Sequence, residues 1–280
     1  MSVVLKGEAV NRQWDERGFV VVPRLLDAAR VAALRALCDR VWQQWLVSAP
    51  DQPRAANATN MAFLTEPCYF VEHRSQLTSL LSFIAADQIL DLLTQLGIDE
   101  PLFHNTQFFF EPRDETRAGD WHRDQQFGAP DEATEQRRMQ QHTGIHLHVA
   151  LVPDDHLEIV PGTHARWDTP EELSIRKGLH GQRPDSPHMP GAVRISLDAG
   201  DAVFFSAWSI HRGRYVAGQT RRTFDAIYGA PSEFPAWYTP PPTCFLEPHA
   251  LDDLAPRARA FFQRFIDTYR ERWLAGQYDH

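Results

Sequence analysis

Apolar residues recur with helical spacing through the first hundred positions. Val31, Leu34, Cys38, Val41, Trp42 and Trp45 step by threes and fours, which places them on one helix face. Asp27 stands ahead of that run as an N-cap, so the pattern predicts a helix from about 27 to 46. The preceding "ERGFVVVPRLL" (16–26) reads as a short apolar strand stopped by proline. A polar segment, 48–60, separates this helix from a second helical region at about 75–96. The apolar set there is Leu77, Leu80, Leu81, Ile84, Leu90, Leu93 and Leu96, with Asp87 as a restart and Gly97 as a stop.

After Gly97 the texture changes. Segments become short, rich in β-branched and aromatic residues, and bounded by Gly, Pro and Asp. Strands are predicted near 102–111, 120–126, 143–152, 157–160, 192–197, 201–206 and 221–228. Many short strands without regular helices between them predict an antiparallel sandwich or barrel. Turn signals fall in "DAGDAVFF" (198–205) and "PGTH" (161–164). Three long stretches, 127–142, 165–190 and 229–250, read as loops of the length that lids and binding loops have. An amphipathic helix from about Asp253 to Leu274 closes the chain, carrying Phe261, Phe262, Phe265, Ile266 and Trp273. No linker divides the chain. The expectation is one domain over 1–280: a helical part to about 100, a barrel core at about 101–230, and a C-terminal loop and helix at 231–280.

Composition narrows the function. The 280 residues are 43% hydrophobic, enough for a full core. Net charge is −9, which argues against a nucleic-acid partner. Cys38, Cys68 and Cys244 are far apart and odd in number, so they read as reduced thiols of a cytoplasmic protein. The N-terminus lacks an apolar export core, and no run reads as a membrane span.

The chemistry concentrates in "GDWHRDQQFG" (119–128). His122 and Asp124 are two apart, and on an extended segment such residues share a face. A metal needs a further ligand, and His211, after the strand at 201–206, supplies it. Two histidines and one carboxylate make the facial triad of non-haem iron oxygenases. In "GQTRRTF" (218–224), either Arg221 or Arg222 offers a guanidinium fork for a carboxylate; the two should face opposite ways, and Arg221 is favoured. Across the strand at 143–152, His146, His148 and Ala150 share a face opposite Ile145, Leu147 and Val149. His164 in "PGTH" reads as a structural turn residue.

The order of "RGFVVVPRLLD", "WHRD", "VALVPDDHLEIVPGTH", "AGDAVFFSAWSIHRG" and "RRTFDAIYG" resembles the phytanoyl-CoA dioxygenase family of Fe(II)/2-oxoglutarate-dependent oxygenases. The resemblance covers most of the chain. It implies a mainly β fold with flanking α-helices, built on a double-stranded β-helix (a jelly-roll, cupin-like barrel). It implies Fe(II), 2-oxoglutarate as cosubstrate, and O2. His122, Asp124 and His211 would hold iron and Arg221 the distal carboxylate of 2-oxoglutarate. Asn105, Gln107 and His148 would also contact 2-oxoglutarate. Departures are a short segment between Leu151 and Pro161, Gly213 two residues after His211, and Glu111 before Pro112. The carboxylate at Asp124 distinguishes the chain from related halogenases and favours hydroxylation or another oxidation.

The expected partner is a small-molecule substrate, met at the rim loops by Arg166, Trp167 and Trp237, with the protein a monomer or homodimer. Two other readings compete. One is a metal-dependent isomerase or hydrolase on the same fold, which needs no 2-oxoglutarate. The other is a small-molecule binding protein that has lost turnover.

Overall fold

Side-chain alternation along the strands sorts the molecule into two cores. In the computed structural model, which describes residues 7–48, 58–127, 129–141, 143–230, 243–247 and 249–276, ten strands form two antiparallel sheets. The larger sheet runs β1 (Phe19–Val22), β8 (Ala202–Ser206), β5 (Gly144–Ala150), β10 (Arg222–Gly229), β3 (Leu102–Phe110), β2 (Asn60–Ala62). The smaller runs β4 (Arg117–Ala118), β9 (His211–Tyr215), β6 (Asp154–Ile159), β7 (Val193–Leu197).

One face of the larger sheet packs on helices. Ile145, Leu147 and Val149 of β5 and Phe224, Ala226 and Tyr228 of β10 join that core. Against them lie α2 (Ala28–Ser48), α3 (Arg74–Ile84), α4 (Asp87–Gln95) and α7 (Pro256–Leu274). From α7, Phe262 and Phe265 set their ring edges against Phe103, each with centroids 5.5 Å apart. Each such buried aromatic contributes about 1.5–3 kcal/mol by leaving water.

The other face meets the smaller sheet. Phe19, Ala150, Val203 and Phe205 pack with Leu157, Ile159, Ile195 and Leu197. The jelly-roll expectation holds with one correction: the sheets are two open layers, not a closed barrel.

A register shift between Ile227 and Tyr228 turns Phe103 to the helix side and leaves Asn105, Gln107 and Phe109 on the inner face. The inner face is then a grid. Gln107, Asp225 and His148 lie in one row across three strands, and Asn105, Ile227 and His146 in the next.

Several elements differ from the sequence reading. The helical region at 75–96 is two helices, broken at Ala85–Ala86. By length and hydropathy the segment Arg74–Gln95 is apolar enough to cross a membrane, contrary to the reading that no run is. Here its Leu80, Leu81, Ile84, Ile89, Leu90 and Leu93 are buried in the core. Helix α1 (Glu8–Arg17) was not anticipated, because it buries only Val10. The expected loops hold two helices, α5 (Glu132–Gln141) and α6 (Pro170–Arg176). Strand β9, "HRGRY", was missed for want of apolar residues.

Candidate metal and cosubstrate site

The smaller sheet brings His122 and His211 together through backbone pairing. Each donates its N–H to the other's carbonyl at 3.0 Å, and their rings lie 4.4 Å apart. Asp124 follows at the start of a 3-10 turn (Asp124–Gln126), its N–H bonded to the Ala207 carbonyl at 3.0 Å. The segment 120–126 is therefore only partly extended, but the ligands still converge. One atom from each of His122, Asp124 and His211 lies within 4.8 Å of the others.

The histidine tautomers suit a metal. Nδ1 of His122 is 2.7 Å from the Asp120 carbonyl, and Nδ1 of His211 is 3.0 Å from the Ser209 carbonyl. A carbonyl only accepts, so both Nδ1 atoms carry the proton and both Nε2 lone pairs are available. The Nε2 atoms lie 3.4 and 3.6 Å from Asp124 Oδ1. Burial drives the His211 pKa down to about 4, against the pull of Asp124 and with repulsion from His122 and His146. Burial alone would raise the Asp124 pKa, but His146, His211 and His122 hold it well below the usual carboxylate range. The site is a neutral histidine, a carboxylate and a second histidine, a donor set that fits a divalent metal.

Beneath the triad lies a row of buried charges. Nε2 of His146 is 2.7 Å from Asp124 Oδ2, and its ring stacks on Phe205 at 4.7 Å. His146 Nδ1 is 3.7 Å from Asp225, and Asp225 is 2.6 Å from His148 Nδ1. His148 Nε2 lies 3.6 Å from Asp154, which reaches Arg221 Nε at 3.3 Å.

Arg221 and Arg222 lie on opposite sides of the larger sheet. Arg222 bonds Asp39 and Glu111 on the helix side and lies over Trp42. Arg221 points inward, its guanidinium 5.0 Å from the Phe109 ring centre and 5.2 Å from that of Tyr215. The guanidinium makes one hydrogen bond among the described residues, a long one of 3.5 Å to the Arg214 carbonyl. Glu111, the departure noted beside Pro112, ties this corner by accepting from Arg221 N–H at 3.0 Å and from Arg222. Gly213 leaves room for Tyr215: a Cβ at 213 would sit 2.7 Å from the Tyr215 hydroxyl.

The remaining expected contacts are placed as follows. Asn105 is buried, its Oδ1 accepting from Thr106 N–H at 2.6 Å, and Gln107 is half-buried on the same inner face. Both His148 nitrogens face carboxylates. Arg166 is bound in a fork by Glu172 at 2.7 and 2.6 Å. Trp167 lies between the guanidinium groups of Arg123 and Arg176 and donates to Glu132 at 3.1 Å. Trp237 lies outside the described residues. His164 is in a 3-10 turn and half-buried.

Sequence reasoning missed Asp225 and Asp154, and it named His148 but not His146 among the cosubstrate contacts. A signal existed: Asp225 sits inside the wholly buried strand β10. A charge in such a strand needs a partner, and His148 stands opposite it in register.

This is the jelly-roll fold with a two-histidine, one-carboxylate centre. The model of the phytanoyl-CoA dioxygenase (PhyH) family matches residues 14–224, and the chain belongs to that family. The family uses Fe(II), 2-oxoglutarate and O2, and His122, Asp124 and His211 can form the metal site. Solved structures agree in fold. The non-heme alpha ketoglutarate dependent carbocyclase SnoK from nogalamycin biosynthesis is 18% identical, with TM-score 0.56 over 81% of this chain and 85% of that one. The corresponding epimerase SnoN is 21% identical, with TM-score 0.54 over 80% and 81%. EctD from S. alaskensis with bound Fe is 17% identical, with TM-score 0.55 over 84% and 80%. A comparison with curated proteins finds no match.

Proposed function

We propose that the protein is an Fe(II)/2-oxoglutarate-dependent dioxygenase that hydroxylates a C–H bond of a small-molecule substrate, releasing succinate and CO2. The convergence of His122, Asp124 and His211, with both Nδ1 atoms tied to carbonyls, carries this reading. Bound iron and its cosubstrate supply the oxidising chemistry. The chain's own residues bind, orient and shield.

His122, Asp124 and His211 would hold the metal through one ligand atom each. His146 restrains the second oxygen of Asp124. Arg221 receives the distal carboxylate of 2-oxoglutarate, with Phe109 and Tyr215 keeping water from the guanidinium. Asn105 and Gln107 line the same inner face. Substrate enters beside His122, whose side chain is 23% exposed against 8% for His211. Phe127 stands at that opening, 59% exposed, its ring centre 5.5 Å from that of His122. The setting is cytoplasmic, consistent with free Cys38 and Cys68, and the enzyme works as a monomer or homodimer.

SnoK and SnoN are described as a carbocyclase and an epimerase. Hydroxylation is preferred here as the simplest outcome of C–H oxidation. The test is succinate formation from 2-oxoglutarate under air with Fe(II), for wild type and His211→Ala. Succinate from wild type alone is expected. A wild type that turns over substrate without consuming 2-oxoglutarate would favour the isomerase or hydrolase reading. Metal binding with no turnover would favour a binding protein.

A further inference from the structure

The groups around Arg221 do not balance in charge unless a histidine takes part. Asp225 and Asp154 are two buried carboxylates, and Arg221 is the one permanent cation among them. The side chains of His148, Asp154, Asp225 and Arg221 are each at most 2% exposed. With His148 neutral, the four carry one net negative charge. With His148 protonated they are neutral. A carboxylate arriving at Arg221 adds a further negative charge to the same dry space, where repulsion is weakly screened.

His148 sits where a counter-cation is needed. It bridges the two acids, 2.6 Å from Asp225 and 3.6 Å from Asp154. Asp154 is also held by His156 Nδ1 at 2.7 Å, and it fixes Arg221 from the Nε side at 3.3 Å. That grip leaves the terminal nitrogens of the guanidinium to a ligand fork.

We propose that His148, as an imidazolium bridging Asp225 and Asp154, is a positioning residue that keeps Arg221 available to the distal carboxylate of the cosubstrate. The proposal rests on the dioxygenase reading above. His148 then acts through Asp154, not by touching 2-oxoglutarate itself. The groups that face it are Asp225 on β10, Asp154 on β6 with His156 and Arg221 behind it, Phe109 on β3, and Val203 opposite on β8. His146 is its neighbour on β5. Burial works against its charge, but Asp225 and Asp154 prevail and lift its pKa to about 9.

The test is anaerobic calorimetric titration of the Fe(II)-loaded protein with 2-oxoglutarate, between about pH 7 and pH 10, on either side of that value. Wild type, His148→Gln, Asp154→Asn and the double variant are compared. Near pH 7, His148→Gln should weaken binding by about 10–100-fold, because it removes the positive charge between two buried acids. Adding Asp154→Asn should restore most of that loss, which a mere packing defect would not allow. Wild-type affinity should fall as pH rises past about 9. His148→Gln should lack that fall, and Asp154→Asn should flatten it. Hydroxide competition at the metal is common to all four, so the differences isolate His148. Unchanged affinity in His148→Gln, or a double variant no better than the single, would overturn the proposal. Should His148→Gln not fold, an Asp154→Asn profile identical to wild type would overturn it equally. A wild type that binds no 2-oxoglutarate would overturn the dioxygenase reading as well. A wild type that binds while the variants behave alike overturns this inference only.

Discussion

Two buried arginines flank the metal centre, and they are in opposite condition. Arg123 stands between His122 and Asp124 in sequence and points away from the metal. Its Nε and Nη2 bond Asp168 at 3.0 and 2.6 Å. Nη1 bonds the Thr163 carbonyl at 2.7 Å and the Trp208 carbonyl, and Nη2 also reaches the Arg166 carbonyl at 3.2 Å. Every nitrogen of its guanidinium has a partner. Arg221 is as deeply buried, but among the described residues its guanidinium has one hydrogen bond of 3.5 Å and a contact with Asp154 at 3.3 Å. A saturated cation holds structure together. A cation with donors left over suits an anionic ligand.

The surroundings differ in the same way. Arg123 belongs to a cluster with Asp168, Arg176, Glu135 and Lys177, which ties α5 and α6 to the segment carrying His122 and Asp124. That cluster aims His122 and Asp124 by fixing the residue between them. The ladder from Asp124 through His146, Asp225, His148 and Asp154 instead joins the triad to Arg221.

The largest effect should come from the metal. His211→Ala should weaken Fe(II) binding by at least about 100-fold, since outer partners alone account for about 10–100-fold. Competition with a chelator measures it, and wild-type affinity in the variant would remove His211 from the triad. Next, Arg123→Ala removes the donors to Asp168 Oδ1 and to the Thr163 and Trp208 carbonyls, leaving Arg176 on Oδ2, and should cost about 3–5 kcal/mol in urea unfolding. Arg221→Ala should cost less, because His148 and His156 still face Asp154. A reversed order would break the contrast between the two arginines.

Smaller still is Thr169→Ala. Its hydroxyl caps α6 by accepting from Glu172 N–H at 3.3 Å, and Glu172 answers by accepting from Thr169 N–H at 2.7 Å. The loss should be about 1 kcal/mol with metal and cosubstrate affinity unchanged. Smallest is Arg166→Ala. The side chain is 44% exposed, so its pair with Glu172 should contribute up to about 1 kcal/mol. Kinetics on a substrate, once one is found, should be unmoved. A sharp rise in KM would return Arg166 to the substrate contacts.

How much of this was legible in the sequence follows from what each element uses for stability. Helix α2 and strand β5 bury apolar residues at regular spacing, and periodicity found both. Helix α5, "EATEQRRMQQ", has almost no apolar face and is pinned by Glu135 to Arg176 and Lys177. Periodicity is blind to such a helix. The triad was legible because its spacing in "WHRD" is local and His211 follows a clear strand. Asp154 and Asp225 were not, because their partners are brought close only by the pairing of β5 with β10 and the packing of the second sheet. Alternation showed that Arg221 and Arg222 face opposite ways, but which of them faces inward is given by the structure, with Arg221 over Phe109 and Arg222 bonded to Asp39.

The central claim is that an anion site at Arg221 serves the metal held by His122, Asp124 and His211. Anaerobic titration of Fe(II)-loaded protein with 2-oxoglutarate tests it most directly, following the visible metal-to-ligand charge-transfer band in wild type, Arg221→Ala and Arg222→Ala. The account predicts a saturating band in wild type and in Arg222→Ala. In Arg221→Ala it predicts a need for about 100-fold more 2-oxoglutarate, the scale expected when one partner of a buried charge pair is truncated. A band unaffected by Arg221→Ala, or none in a folded and iron-loaded wild type, would contradict it.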